Sequence, residues 1–443
     1  MKNIKLILPI FISSLILLML IYKIDFKKDL IWNLKNTLHP SIIFQLKKIY
    51  IYYVHDIKKT ITLEKDSIEI LESSLGRKFK LIKFQNKIFK KNGPKVFLKL
   101  TNKDLFLITG TGVLSYTKIE NFNKDKIKLR IIRNNLRKLF NLEKIVKNPG
   151  LVLNMNIYDG YIYISYVNEI KKNCFNTSVI RSKINLDQMN FKKFFSPDQC
   201  VKKDNNYGEF YILEAGGAME FFNENNFFLS TGTFRYRDLS QKRENIFGKI
   251  LLLNLDNRKT KVISMGHRNI QGMFYDKRKD ILFSVEHGPQ GGDEINFNFS
   301  PLNKKIKNYG WPVASYGEHY GGKTEKNKNK YEKAPLLKSH EKYGFIEPNK
   351  FFVPSIAPSD ILFIPVQFDP NFRNNIYVSS LGFKNDNGRR SIHTFNLNNN
   401  FQLENHEIIR LNDRVRDIEY LKKKNFILLF LEKSASIGIL KKY

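Results

Sequence analysis

The chain has 443 residues, is 42% hydrophobic with 36 Phe and 21 Tyr, and sets 75 Lys plus Arg against 42 Asp plus Glu for a formal net charge of +33. That much apolar and aromatic material excludes a disordered chain, and two Cys with two Trp exclude a disulfide framework and a multi-cysteine zinc domain. The basic residues are scattered among Asn and Ile over almost every segment rather than gathered into a stripe, so no dedicated nucleic-acid site is expected.

In chain order, the first element is the apolar run Ile4–Tyr22, without charge from Leu6 to Tyr22 and of a length that spans a bilayer as a helix. No small-residue cleavage motif follows, so residues 1–24 read as an uncleaved membrane anchor rather than a removed signal. Lys2 and Lys5 on one flank, and Lys23, Lys27 and Lys28 on the other, leave its orientation open. Residues 25–80 then read as a charged stalk of one or two helices, because DLIWNLKNTLHPSIIFQLKKIYIYY and LEKDSIEILESSLGRKF place apolar residues at helical spacing.

From about Phe84 the pattern becomes short, aromatic-rich strands between Asn, Asp, Gly and Lys turns. One run recurs, an apolar strand ending in small or hydroxyl residues: LFLITGTG at Leu105, YIYISY at Tyr161, FFLSTGT at Phe227, ILFSVEHG at Ile281, IYVSSLG at Ile376 and FILLFLEKS at Phe426. A repeat of roughly 50 to 65 residues containing several strands is the mark of propeller blades. The expected fold of residues 81–443 is all-β, a six-bladed β-propeller, with a pair of β-sandwiches as the alternative. Cys174 and Cys200 are close enough in sequence to be bridged; two buried thiols are the other reading.

The most informative stretch begins at Met265. Arg268 and Asn269 precede a strand, then comes the glycine-rich EHGPQGGDEIN, then NYGWP. The loop's backbone carbonyls, with the carboxylates of Asp293 and Glu294, form the mixture of oxygen ligands that a hard cation such as Ca²⁺ takes. Arg268 offers a planar fork for a ligand carboxylate.

GHRNIQGMFYD, SVEHGPQGGDEIN and NYGWPVASYGEHY, with PSIAPSD at Pro354 and DRVRDI at Asp413, resemble the soluble quinoprotein glucose/sorbosone or aldose sugar dehydrogenases. The resemblance runs from about Phe84 to the end and leaves the anchor and stalk outside it. It implies a six-bladed propeller that uses pyrroloquinoline quinone (PQQ) and Ca²⁺ to move hydride from a sugar hydroxyl carbon to the quinone. It implies that Arg268, Asn269, Tyr309, Ser355, Arg414 and Arg416 contact PQQ. Gly288 and Pro289 would hold the catalytic Ca²⁺ through their carbonyls, and Asp293 and Glu294 fall in a second, structural Ca²⁺ region. Arg414 and Arg416, alternating along a strand, can face the same ligand.

Three departures mark the first half of the site. LEAGGAMEFF puts Glu214 where the family has its catalytic His, and Ala218 where an Arg is usual. NPGLVLN offers only Asn148 for a cofactor-contacting Gln. Gly382 stands for a family Lys, with Lys384 two residues on. The expectation is therefore a membrane-anchored sugar or alcohol dehydrogenase with its body in the periplasm, Glu214 and Arg268 in catalysis, and an unspecified electron acceptor. The alternative is a catalytically degenerate family member that binds a carbohydrate or another partner.

Overall fold

The computed structural model describes residues 39–86, 89, 95–140, 150–204, 209–370, 375–382 and 390–443. The anchor at 1–24 lies outside them, as do Asn148 and Lys384. The chain divides into residues 1–52 and 53–443. The described part of the first unit is one helix, Pro40–Tyr52, which begins on a proline whose fixed φ suits a first helical turn. Among the described residues no helix is long and apolar enough to cross a membrane.

The second unit is built on β-sheets, and it corrects the stalk. Residues expected to continue as helix form a hairpin, Thr60–Glu72 with Lys78–Gln85. The segment TITLE alternates, so that Ile61 and Leu63 are buried on one face. Each strand also has a distant partner: Thr60–Glu64 pairs with Lys126–Arg130, and Phe79–Gln85 with Ser436–Lys442. Those ladders and the buried face outweigh the local helical spacing. The boundary expected at residue 80 falls inside a strand.

All six recurring runs are strands, and each is the second of an antiparallel meander. They are Asp104–Thr109, Tyr161–Lys171, Asn226–Thr231, Ile281–Glu286, Asn375–Ser380 and Phe426–Leu431. The first strands of these meanders are Val96–Leu100, Val152–Tyr158, Gly216–Phe221, Ile270–Asp276, Pro358–Ile364 and Val415–Leu421, and each packs against the next, with the last against the first. They run in parallel: Leu98 N donates to Asp417 Oδ2 at 2.6 Å, and one residue on, Lys99 Nζ pairs with Glu419 Oε1 at 2.5 Å. Phenylalanines and tyrosines fill the space between neighbouring sheets, as where Tyr163, Phe194, Phe221 and Phe227 meet. The arrangement is that of a β-propeller.

Parallel inner strands have one consequence for function. The residues that precede them all emerge at the same end: Lys95, Leu151, Ala215, Asn269, Ala357 and Arg414. Glu214, Arg268, Asn269, Ser355, Arg414 and Arg416 lie in or beside these lead-in segments, whereas Gly288, Pro289, Asp293 and Glu294 follow the second strand of the fourth meander and Tyr309 lies further on.

Candidate functional site at the inner-strand ends

Glu214 is buried, and three groups hold it. Its Oε1 accepts from Thr233 Oγ1 at 2.5 Å and from Arg235 N at 3.2 Å, while Oε2 lies 2.7 Å from Arg268 Nη2. Arg268 is fixed in turn: its backbone N–H donates to Glu286 Oε2 at 2.8 Å, its Nη1 to the His287 carbonyl at 3.0 Å, and its guanidinium lies 5.4 Å from the centre of the Trp311 ring. Glu286 is kept low despite its burial because His267 and the amides of Arg268 and Asn269 favour its charged form. Asn269 acts as a brace, its Oδ1 accepting from Gly216 N at 3.0 Å and Gln271 Nε2 at 3.1 Å.

The glycine-rich loop is tied down by Asp293. Its Oδ1 accepts from Gly288 N at 2.9 Å, and its Oδ2 from Ser355 Oγ at 2.6 Å, Ile356 N at 2.8 Å and Ala357 N at 2.7 Å. Four donors engage the two oxygens of one carboxylate, one on Oδ1 and three on Oδ2, so Asp293 clamps the glycine-rich loop to the Ser355–Ala357 segment. Burial nevertheless pushes the Asp293 carboxyl up. Glu294 Oε2 accepts from Asn296 Nδ2 at 3.0 Å, and His340 Nε2 lies 3.5 Å from its Oε1; burial and the nearby Glu286 raise its pKa well above the carboxylate range. Among the described residues no group of three His, Cys, Asp or Glu side chains is placed to hold a metal.

Tyr309 faces inward, its hydroxyl donating to the Phe297 carbonyl at 2.9 Å and its ring stacked on His267 at 4.7 Å. The residue of NYGWP that lines the cleft is Trp311. Together with Glu214, Arg235, Arg237, Arg268, Pro289, His319 and Tyr320 it lines a small cleft that opens to solvent.

A second group of charges lies at the start of the Val415 strand. Arg414 and Arg416 share the carboxylate of Glu432, with Nε to oxygen distances of 2.9 and 2.5 Å, and Arg414 Nη1 also donates to the Leu381 carbonyl at 2.9 Å and that of Gly382 at 3.2 Å. The parallel register of the Val96 and Val415 strands puts Lys95 beside them. Burial, then Arg416, bring the Lys95 ammonium down to about 7. His287 connects the two groups. Burial and the fields of Arg268, Arg416 and Arg414 bring its pKa down to about 3, so it is neutral at pH 7. Its Nε2 donates to the Pro358 carbonyl at 2.8 Å, which leaves Nδ1 without a proton. Three arginines therefore surround one neutral imidazole, with Lys95 beside two of them.

Sequence reasoning missed Lys95, Arg235, His287 and Trp311. Lys95 has no motif around it, and only the register reveals its neighbours. His287 and Trp311 lie inside quoted motifs, but which member of a motif faces the ligand depends on backbone direction.

A family model described as glucose/sorbosone dehydrogenase matches residues 152–439. Among curated proteins, an uncharacterized protein of Synechocystis sp. is 30% identical over 195 residues, 41% of this chain and 42% of that one. The aldose sugar dehydrogenase YliI of Escherichia coli is 28% identical over 179 residues, 38% and 44% of the two chains. The chain thus spans about half the length of these relatives. Among solved structures, the soluble aldose sugar dehydrogenase of Escherichia coli in its apo form aligns with a TM-score of 0.60 at 18% identity, covering 85% of this chain and 99% of that one. The PQQ-bound aldose sugar dehydrogenase of Streptomyces coelicolor aligns at 0.52 and 16% identity, covering 87% and 97%. Both share the fold.

Proposed function

Because the chain belongs to the glucose/sorbosone dehydrogenase family, we propose that it is a sugar dehydrogenase-like oxidoreductase on a six-bladed propeller, with PQQ seated where the inner strands begin. The blade count is supported by six meanders whose first strands pack in chain order, the nine-stranded sheet being two blades joined through the Thr60–Gln85 hairpin. The observation that carries the cofactor is the grouping of Arg268, Arg414 and Arg416 around His287, with Arg268 Nη1 on the His287 carbonyl at 3.0 Å and Lys95 beside Arg414 and Arg416. PQQ is a planar tricarboxylate suited to several cations; among the described residues Glu214 pairs with Arg268, and Glu432 with Arg414 and Arg416. Among the described residues the Gly288 and Pro289 carbonyls accept no hydrogen bond, which suits a Ca²⁺ beside the cofactor. A second, structural Ca²⁺ does not fit Asp293, whose oxygens are engaged by the chain itself.

Bound there, PQQ supplies the two-electron acceptor and Ca²⁺ its polarisation. The chain's own part is proton handling and orientation. Glu214, paired with Arg268 and oriented by Thr233, would take the hydroxyl proton of the sugar as hydride leaves the carbon that bears that hydroxyl, and the product would be the carbonyl compound or lactone. Trp311 and Pro289 wall the reacting end. We place the body outside the cytoplasm on an anchor at residues 1–24; the Cys174–Cys200 disulfide supports an oxidising compartment.

The test loads the full chain with PQQ and Ca²⁺, measures cofactor binding by fluorescence, and follows dye reduction with a panel of aldoses. Micromolar binding and dye reduction are expected, the latter falling roughly a hundredfold or more in Glu214→Ala, as for loss of a general base. No binding of PQQ at micromolar concentration sinks the reading. The second reading, a degenerate member that only binds, is favoured by the neutralisation of Glu214 by Arg268. Binding without turnover decides for it.

A further inference from the structure

The mouth of the Glu214 cleft has a cation that the proposed chemistry does not use. After the strand Asn226–Thr231 the chain turns through Phe234 and Arg235, both left-handed, with φ of 51° and 73°. Neither residue is a glycine, so the turn is strained and must be held by its surroundings. It is: Phe234 N donates to the Glu214 carbonyl at 2.8 Å, Arg235 N to Glu214 Oε1, and Thr233 N to the Arg268 carbonyl at 3.2 Å, while the Phe234 ring is buried against Phe210 and Phe247. The effect is to project Arg235 to the cleft wall.

The other charges of this wall have close partners. Arg268 pairs with Glu214 at 2.7 Å, and Glu209 takes both Arg237 and Lys330, the latter at 2.5 Å. His319 is held neutral by burial. Arg235 reaches Glu214 Oε2 only at 3.8 Å, across a carboxylate that Arg268 already neutralises. Its guanidinium lies instead over the rings of Tyr211 at 4.9 Å and Tyr320 at 5.8 Å, both of which are exposed. Deeper in the same wall, Trp311 is 95% buried and its Nε1–H finds no acceptor among the described residues. A buried indole donor without a partner points to a ligand oxygen. An aromatic face, an unmatched donor and a surplus guanidinium are together what a sugar with an acidic substituent needs.

We propose that the cleft selects an anionic sugar, whose carboxylate or phosphate pairs with Arg235 while its ring lies on Tyr320 and a ring or hydroxyl oxygen accepts from Trp311 Nε1. This names a substrate class for the site of the dehydrogenase reading and rests on it for catalysis, but not for binding. The experiment titrates the full chain, without cofactor, with glucose, glucuronate and glucose 6-phosphate by ligand-observed NMR and calorimetry. At least one acidic sugar is expected to bind about tenfold more tightly than glucose, as for one charge-assisted contact. The tighter of the two identifies the anion as carboxylate or phosphate. In Arg235→Gln that preference collapses, and in Arg235→Lys, which keeps the charge and loses the fork, it recovers in part; a circular-dichroism melt shows that both variants are folded. Equal or tighter binding of glucose, no binding of any of the three, or a preference that survives Arg235→Gln overturns the inference. Binding of the acidic sugar without dye reduction by the PQQ-loaded chain removes the dehydrogenase reading instead and leaves the anionic-sugar site standing.

Discussion

Arg268 and Glu214 form a buried ion pair at the cleft wall, 2.7 Å apart. A carboxylate buried there needs a counter-charge, and Arg268 supplies it. Removing one partner of such a pair strands the other, so Arg268→Ala and Glu214→Gln are each expected to destabilise the fold by about 3 kcal/mol in urea denaturation, and the double variant by clearly less than their sum. Strictly additive losses would show that the two do not act as a pair. Lys95 makes a second prediction. An anion binds its protonated form, and burial and Arg416 bring its pKa down to about 7. PQQ affinity should therefore weaken as pH rises from 6 to 8, and Lys95→Met should bind about tenfold more weakly at pH 6 with a flatter profile, read by fluorescence titration. Motif matching alone identified Arg268, Arg414 and Arg416. It did not separate them from Tyr309, which matches as well and points into the core, because side-chain direction is set by packing.

Among the elements, the glycine-rich loop and the N-terminal hairpin differ most in how readable they are. The loop EHGPQGGDEIN declares itself by composition, and its geometry explains the glycines: a Cβ at Gly288 would come within 2.1 Å of the Gly292 carbonyl oxygen. Gly288→Ala is expected to cost about 1–3 kcal/mol by overpacking and to weaken PQQ and Ca²⁺ binding together; a melt and a titration unchanged from wild type would contradict this. Asp293→Ala releases the clamp between this loop and the Ser355–Ala357 segment, and the same two measurements apply. The hairpin Thr60–Gln85 was misread as helix because Ile68, Ile70 and Leu71 fit either period over a short window. Its strand identity comes from partners some 65 and 360 residues away in sequence, at Lys126–Arg130 and Ser436–Lys442.

For the whole molecule, that hairpin sets the limits of a stable fragment. Lys78–Gln85 completes the sheet of the C-terminal meander, as Thr60–Glu72 extends that of the first. A chain beginning at residue 81 loses this closure and exposes the edge of Ser436–Lys442. It is expected to aggregate, whereas one beginning at residue 53 should be monodisperse in size-exclusion chromatography with native circular dichroism. Equal behaviour of the two would refute the closing role. The disulfide Cys174–Cys200 spans 26 residues beside the Cys174–Lys183 strand, and its reduction should lower stability by about 3 kcal/mol by the loop-entropy argument, seen as a shift in thermal midpoint with reductant.

Taken alone, the sequence determined the β-rich repeat, because strand periodicity and turn residues are local, and it determined the family, because GHRNIQGMFYD and EHGPQGGDEIN are contiguous. Tertiary structure decided the rest. The parallel inner strands bring Lys95, Glu214, Arg268 and Arg414, from four distant segments, to one end of the fold. The net charge of +33 could not show this, because the field at a site depends on which few charges face it and which are already paired, and the folded chain alone fixes both.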